Sequence, residues 1–266
     1  MAIIAKISKG TLMDQIYIPK NRIGFDVGSY VRISPAVAEP IERFFFHNIR
    51  SLEKLKLKVI DDVFSEIEKI VVVYDNIIVT GSFLEKGFNF EDIDIIVLTD
   101  KKINSAIVEL ELSKKTGIKP HLIFLSNKEF LKGVTNIPAY EMMLAKCITK
   151  RRLVYRIERK LDHRILDLEL LKSENLPLNF DSLNGKEKYN LTRNLIAISL
   201  FMKNEKLTKE AVDGEISRIF KIKPDTIKAN MLQKKSFSEI FRKIYRKTYN
   251  GVLNLIPNGS KQKKAS

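Results

Sequence analysis

Two short apolar runs joined by a polar loop constrain this chain more than any other stretch. Ile77, Ile78 and Val79 read as a buried strand. Gly81 and Ser82 follow as a turn, and a second apolar strand carries Asp92 and Asp94 at its start. Side chains along a strand alternate between faces, so Asp92 and Asp94 share one face while Ile93, Ile95 and Val97 occupy the other. Two carboxylates side by side at the mouth of an apolar strand repel each other and lose hydration. A hard cation between them relieves both costs, and Mg²⁺ with substrate phosphates is the usual solution. Gly81 permits close backbone approach, and Ser82 offers a hydroxyl and a backbone donor, both suited to a phosphate. Taken singly, an Asp-x-Asp is most often a solvated strand end and a Gly-Ser most often a turn. Their order here, strand, Gly-Ser, loop, Asp-x-Asp, strand, is far more specific.

That order resembles the signature of the DNA polymerase beta nucleotidyltransferase superfamily, especially its small prokaryotic members. The matching residues are Gly81, Ser82, Asp92 and Asp94, with Lys86-Gly87 standing where the family often has Arg-Gly, one residue later. The resemblance implies a mixed sheet with flanking helices, an NTP as substrate, Mg²⁺ as cofactor, Asp92 and Asp94 as catalytic metal ligands, and Gly81, Ser82 and Lys86 as nucleotide-binding residues. Such domains usually carry a third carboxylate on the strand assigned here to residues 120–125, and the nearest aligned position is His121. Imidazole can serve as a ligand or base near neutral pH, and it can equally be an ordinary strand-end side chain.

Residues 1–35 read differently. Ile3 to Ile7 forms one expected strand, Gln15 to Ile18 a second stopped by Pro19, and Tyr30 to Ile33 a third, with Asp26 to Ser29 as a loop. A β unit this small cannot bury its apolar faces alone and needs a partner. The run resembles the AbrB-type swapped-hairpin module, which implies an intertwined homodimer and DNA contact through basic side chains. The candidate DNA-binding residues are Lys6, Lys9, Lys20, Arg22 and Arg32. A β module serving only as a dimerisation device or cap is the alternative.

The rest of the chain reads as α+β. Pro35 and Pro40 bracket a linker. Phe44, Phe45, Phe46, Ile49, Leu52, Leu55, Val59, Val63, Ile67 and Ile70 recur at helical spacing and predict one or two amphipathic helices. Ile103 to Lys115 reads as a helix stopped by Gly117, residues 119–125 as a strand, Ser126 to Glu129 as a capping box, Pro138 to Cys147 as a helix, and Ile148 to Tyr155 as a closing strand. Lys150, Arg151 and Arg152 on that last segment are candidate phosphate contacts or a solvated turn. Helical patterning then runs to Ile256. The expected organisation is a β module at 1–35, a nucleotidyltransferase-like domain at 36–156, an all-α domain at 157–256 and a disordered basic tail at 257–266.

Composition narrows the function classes. Of 266 residues, 47 are Lys or Arg against 32 Asp or Glu, a net charge of +15. The charge is uneven: residues 51–100 hold 5 basic against 11 acidic side chains, and residues 201–266 hold 16 against 6. The acidic segment contains the Asp-x-Asp, and the basic one suits DNA, RNA or a polyphosphate as readily as a solvated helical surface. Cys147 is the only cysteine, which excludes an intrachain disulfide and a thiolate metal cluster and fits a reducing cytoplasm. No apolar run suggests a membrane span or a secretory leader. The two resemblances imply the candidate functions: Mg²⁺-dependent transfer of a nucleoside monophosphate from an NTP to an acceptor the sequence leaves open, or a dimeric DNA-binding transcriptional regulator or antitoxin-like protein with a degenerate nucleotidyltransferase domain.

Overall fold

The structure is a computed structural model that describes residues 7–18, 26–31, 44–154 and 158–256. The chain divides into two compact units, Met1–Arg43 and Phe44–Ser266.

In the first unit, β1 (Ile7–Ser8) pairs antiparallel with β2 (Gln15–Ile16), with Ile7 opposite Ile16. The loop at Asp26 to Ser29 closes as a turn, Ser29 N–H donating to the Asp26 carbonyl at 3.1 Å, with Gly28 at φ +91°. Tyr30 and Val31, expected to open a third strand, have no regular structure; both are exposed, as are Leu12 and Val27. No neighbouring segment offers them a ladder among the described residues, and propensity without a pairing partner does not make a strand. The remaining parts of the first and third expected strands, at 3–6 and 32–33, lie outside the described residues.

The second unit is α+β, built on a five-stranded sheet in the order β3-β7-β4-β5-β6. β4 (Asn76–Thr80) and β5 (Asp92–Leu98) are the central antiparallel pair, and β6 (Lys119–Leu125) runs parallel to β5. β7 (Cys147–Thr149) pairs with the outer side of β4, and β3 (Phe45–His47) pairs with β7 to form the edge. The expected helix through Phe44 to Phe46 is therefore a strand. Consecutive aromatics favour a pleated, half-buried surface, and β7 supplies the ladder that helical spacing alone could not reveal. Helix α1 (Lys54–Ile70) begins only beyond it. The closing strand is also shorter than its pattern suggests. It starts at Cys147, inside the stretch read as helix, and ends at Thr149; Tyr155 lies outside the described residues.

Two apolar layers sandwich the sheet. Ile77, Val79, Ile93, Ile95 and Val97 point to one face, where α1 and α2 (Ser105–Thr116) cover them. Ile78, Ile96 and Leu98 point to the other, under Phe130 and Val134 of α3 (Asn127–Asn136) and the side chains of α4 (Pro138–Leu144). Capping follows the sequence: Gly117 ends α2 in the left-handed region at φ +69°, and Ser126 with Glu129 closes the reciprocal box that opens α3.

The segment from residue 158 is helical, with α5 (His163–Leu178), α6 (Gly185–Met202), α7 (Lys209–Phe220), α8 (Pro224–Lys228) and α9 (Lys234–Leu253) around a core that includes Leu170, Leu195, Phe201, Ile216 and Phe241. This bundle and the sheet belong to one unit. Arg159 joins them: its guanidinium makes a two-pronged bond to Glu141 of α4, at 2.7 and 2.5 Å, and donates to the Glu205 carbonyl beyond α6 at 2.7 Å. Among the described residues, no helix is long and apolar enough to cross a membrane. The basic tail at 257–266 lies outside the described residues.

Candidate functional site

The parity of β5 decides where its carboxylates point. Asp92 and Asp94 lie on the same face as Ile96 and Leu98, the face covered by α3 and α4. Those helices cover only the Ile96 and Leu98 end, so the two carboxylates emerge at the open end into a cleft of about 1560 Å³. Gly81, Ser82, Lys86, Asp92, Asp94 and His121 all line it, so the six candidate nucleotide and metal residues of the sequence converge on one place.

Register accounts for the tightest contacts. Thr80 stands opposite Asp94 across the antiparallel ladder, and His121 stands opposite Asp94 across the parallel one. His121 Nδ1 lies 2.9 Å from Asp94 Oδ1, with the imidazole 63% exposed and Asp94 27%. His121 thus engages one of the two carboxylates at the start of β5. Among the described residues, no group of three or more His, Cys, Asp and Glu side chains is arranged to hold a metal by itself.

Gly81 touches Asp94 from the other side. Its backbone is at φ +83° and ψ −162°, a conformation open essentially to glycine alone. A Cβ there would lie 2.0 Å from Asp94 Oδ2 and 3.2 Å from Asp94 Cβ. The glycine therefore serves two ends: it turns the chain from β4 into a single 3₁₀ turn at Ser82–Leu84, and it lets the backbone lie against the carboxylate. Ser82 emerges exposed at the start of that turn, and Lys86 is exposed just beyond it.

The opposite wall was not legible from the motif. Helix α6 presents Lys186, Tyr189, Asn190, Arg193 and Asn194 to the cleft, spaced as one face of a helix. Lys206, Lys209 and Lys228 add further cations from the segments around α7 and α8. The same helical period that located the apolar side of α6 would have located this polar stripe, but nothing local indicates that it faces residues a hundred positions earlier. Two ion pairs tie the walls together, Lys186 with Glu91 at 2.6 Å and Lys209 with Glu85 at 3.5 Å, and Glu85 also pairs with Lys146 at 3.1 Å on its own side of the cleft. The bond to Glu91 raises the Lys186 pKa, and the charges of Asp92 and Asp94 add to the effect. Tyr189 is 4% exposed and donates to Asp213 Oδ1 at 2.7 Å; burial and that carboxylate hold its phenol protonated well above the ordinary range.

The other candidate residues lie elsewhere. Lys150, Arg151 and Arg152 do not line the cleft. Lys150 Nζ bonds Glu68 at 2.9 Å, and the Arg151 guanidinium stacks on Tyr74 at 4.6 Å, so these two hold the sheet's far end to α1 and its exit. Of the DNA-contact candidates, Lys9 is exposed beside the β1–β2 hairpin, while Lys6, Lys20, Arg22 and Arg32 lie outside the described residues.

No protein-family model matches the chain, and no curated protein or solved structure shows a significant similarity to it.

Proposed function

We propose that residues 44–256 bind a nucleoside triphosphate with Mg²⁺ and transfer its nucleoside monophosphate to an acceptor. One observation carries the reading. The paired carboxylates of Asp92 and Asp94 open into a cleft whose facing wall is cationic, and the glycine turn of Gly81 and Ser82 lies against them. A metal-bound triphosphate needs that polarity: carboxylates for the metal on one side, cations for the phosphate oxygens on the other.

The donor set fits Mg²⁺ of a particular kind. This ion is commonly held by one or two carboxylates plus water and substrate phosphates, without a dedicated protein cage. Asp92 and Asp94 supply that number from the start of β5. Bound there, the ion would supply charge neutralisation at the phosphates. The chain's own groups do the rest. Ser82 and the backbone after Gly81 offer donors to the phosphate tail, Lys86 and Arg193 offer charge, and His121, held by Asp94, stands where it could take the acceptor proton. The acceptor oxygen attacks the α-phosphorus, and pyrophosphate leaves.

The test is transfer from each labelled NTP with Mg²⁺, using Asp92→Ala and Asp94→Ala as controls. Loss of transfer in both variants is the expected result; transfer that survives both would sink the site assignment. The second reading, a nucleotide-sensing, DNA-binding regulator, is favoured by one feature, the imidazole that replaces a third carboxylate beside Asp94. It predicts Mg²⁺-dependent NTP binding without turnover, and a gel shift on the protein's own upstream DNA that is lost when residues 1–35 are removed.

A further inference from the structure

Lys56 is a lysine in a place where lysines are rarely found. It lies on the face of α1 that also buries Ile60, Val63 and Ile67, and it is 1% exposed. An apolar side chain would satisfy that position without desolvating a charge. The hydrogen-bond, ion-pair and aromatic partners of its ammonium group belong to the segment between β4 and β5 or to the entrance of α1. Nζ donates to the Glu85 carbonyl at 2.5 Å and lies 3.4 Å from Glu53 Oε2. The rings of Phe83, Phe88 and Phe90 surround it, with centroids 5.4–5.6 Å away. Phe83 packs edge-on against Phe90 at 4.8 Å. Glu53 completes the arrangement, its Oε1 accepting the Gly87 N–H at 2.7 Å, and that bond, ahead of the Lys56 charge, lowers the Glu53 pKa.

The segment wrapped around Lys56 is the one that delivers Ser82, Lys86 and Phe90 to the cleft. It has little regular structure beyond the single turn at Ser82–Leu84 and contains Gly87 at φ +82°, so the backbone alone gives it many conformations. We infer that Lys56, with Glu53, is a positioning residue: it fixes the 83–90 loop before any ligand arrives, so that the loop's phosphate-contacting groups are already in place. Carbonyl, carboxylate and three π faces together replace the water the ammonium gives up. This explains a buried charge at a site that does not itself reach the cleft. The inference rests on the nucleotide reading for its consequence in binding, and on the loop alone for its structural content.

The experiment uses Lys56→Met, which keeps most of the length and the apolar volume, and Glu53→Ala, a substitution at a partly exposed position that removes the bond to Gly87 together with the ion pair to Lys56. Amide hydrogen exchange in the ligand-free protein is expected to rise at least tenfold at residues 86–90 in Lys56→Met, and at Gly87 in Glu53→Ala, with β4 and β5 unchanged. In the same variants the KM for Mg·NTP is expected to rise about tenfold while kcat changes little. Exchange at 86–90 that matches wild type in both variants overturns the inference, and Glu53→Ala decides it if Lys56→Met does not fold. Wild-type protein that binds no Mg·NTP refutes the nucleotide reading, whereas wild type and variants binding it equally refute the positioning role.

Discussion

Replacing Gly81 with alanine separates two effects that usually arrive together. The first is conformational: φ +83° with ψ −162° is a region where a Cβ costs about 1–3 kcal/mol. The second is steric, because the new Cβ would sit 2.0 Å from Asp94 Oδ2, 3.0 Å from its Cγ and 3.2 Å from its Cβ. Rotating the Asp94 carboxylate relieves the shortest contact, and Asp94 is exposed enough to rotate. The Cβ–Cβ approach survives the rotation, so some backbone shift remains, and overpacking of this kind typically costs about 1–3 kcal/mol more. Gly87 is the internal control. It has nearly the same φ, +82°, but an added Cβ would meet nothing within 4 Å. Gly87→Ala should therefore show the cost of a positive φ without a clash, and Gly81→Ala backbone strain plus the clash. The expected gap in urea unfolding is about 1–3 kcal/mol, and at about 2–4 °C per kcal/mol for a unit of this size it is also visible in melting temperature. Isothermal titration with Mg²⁺ and a non-hydrolysable NTP should show a loss of at least about tenfold in Gly81→Ala, since the displaced carboxylate no longer offers its oxygens. Equal destabilisation and equal binding in the two variants would refute the argument that Gly81 is there for Asp94.

Burial pushes the Cys147 thiol up to about 12, and a raised pKa on an acid means that the folded state resists giving up this proton. Its contribution to stability is complete below the ordinary thiol value of 9.0 and declines as pH rises from there towards 12; native protein should accordingly resist a thiol reagent at pH 8 and react only at the rate at which β7 opens. Substituting Glu141 by alanine takes away the carboxylate that faces the Arg159 guanidinium and leaves its charge only neutral acceptors such as the Glu205 carbonyl. A loss of about 2–4 kcal/mol in urea unfolding is expected, and a loss below about 0.5 kcal/mol would show that the clamp is decorative.

Much of the central sheet could be read from local pattern. The glycine stop after α2 and the capping box before α3 rest on interactions within a few residues, whereas β4, β5 and β6 announce themselves as short apolar runs but are completed by ladders to distant segments. That Asp92 and Asp94 share a face is local as well, since it follows from the two-residue period of a strand. Phe45 to His47 shows the limit. Their spacing with Ile49 and Leu52 satisfies a helical period, yet the chain uses them as an edge strand because β7, a hundred residues later, offers hydrogen bonds that a helix would leave to water.

The sequence by itself determined which side chains would stand at the end of β5 and that a glycine turn would precede them. Tertiary structure decided what those side chains meet. The parallel pairing of β5 with β6 sets His121 against Asp94, a register chosen by burial of both strands' apolar faces and not by either residue. The packing of α4 against α6, held by Arg159, turns a polar stripe of α6 into the second wall of the cleft. The wrapping of the 83–90 loop around Lys56 makes a helix residue the anchor of a loop some thirty positions away. Local periodicity specifies the face on which a residue lies, whereas the partner across that face depends on how all the apolar surfaces are buried at once.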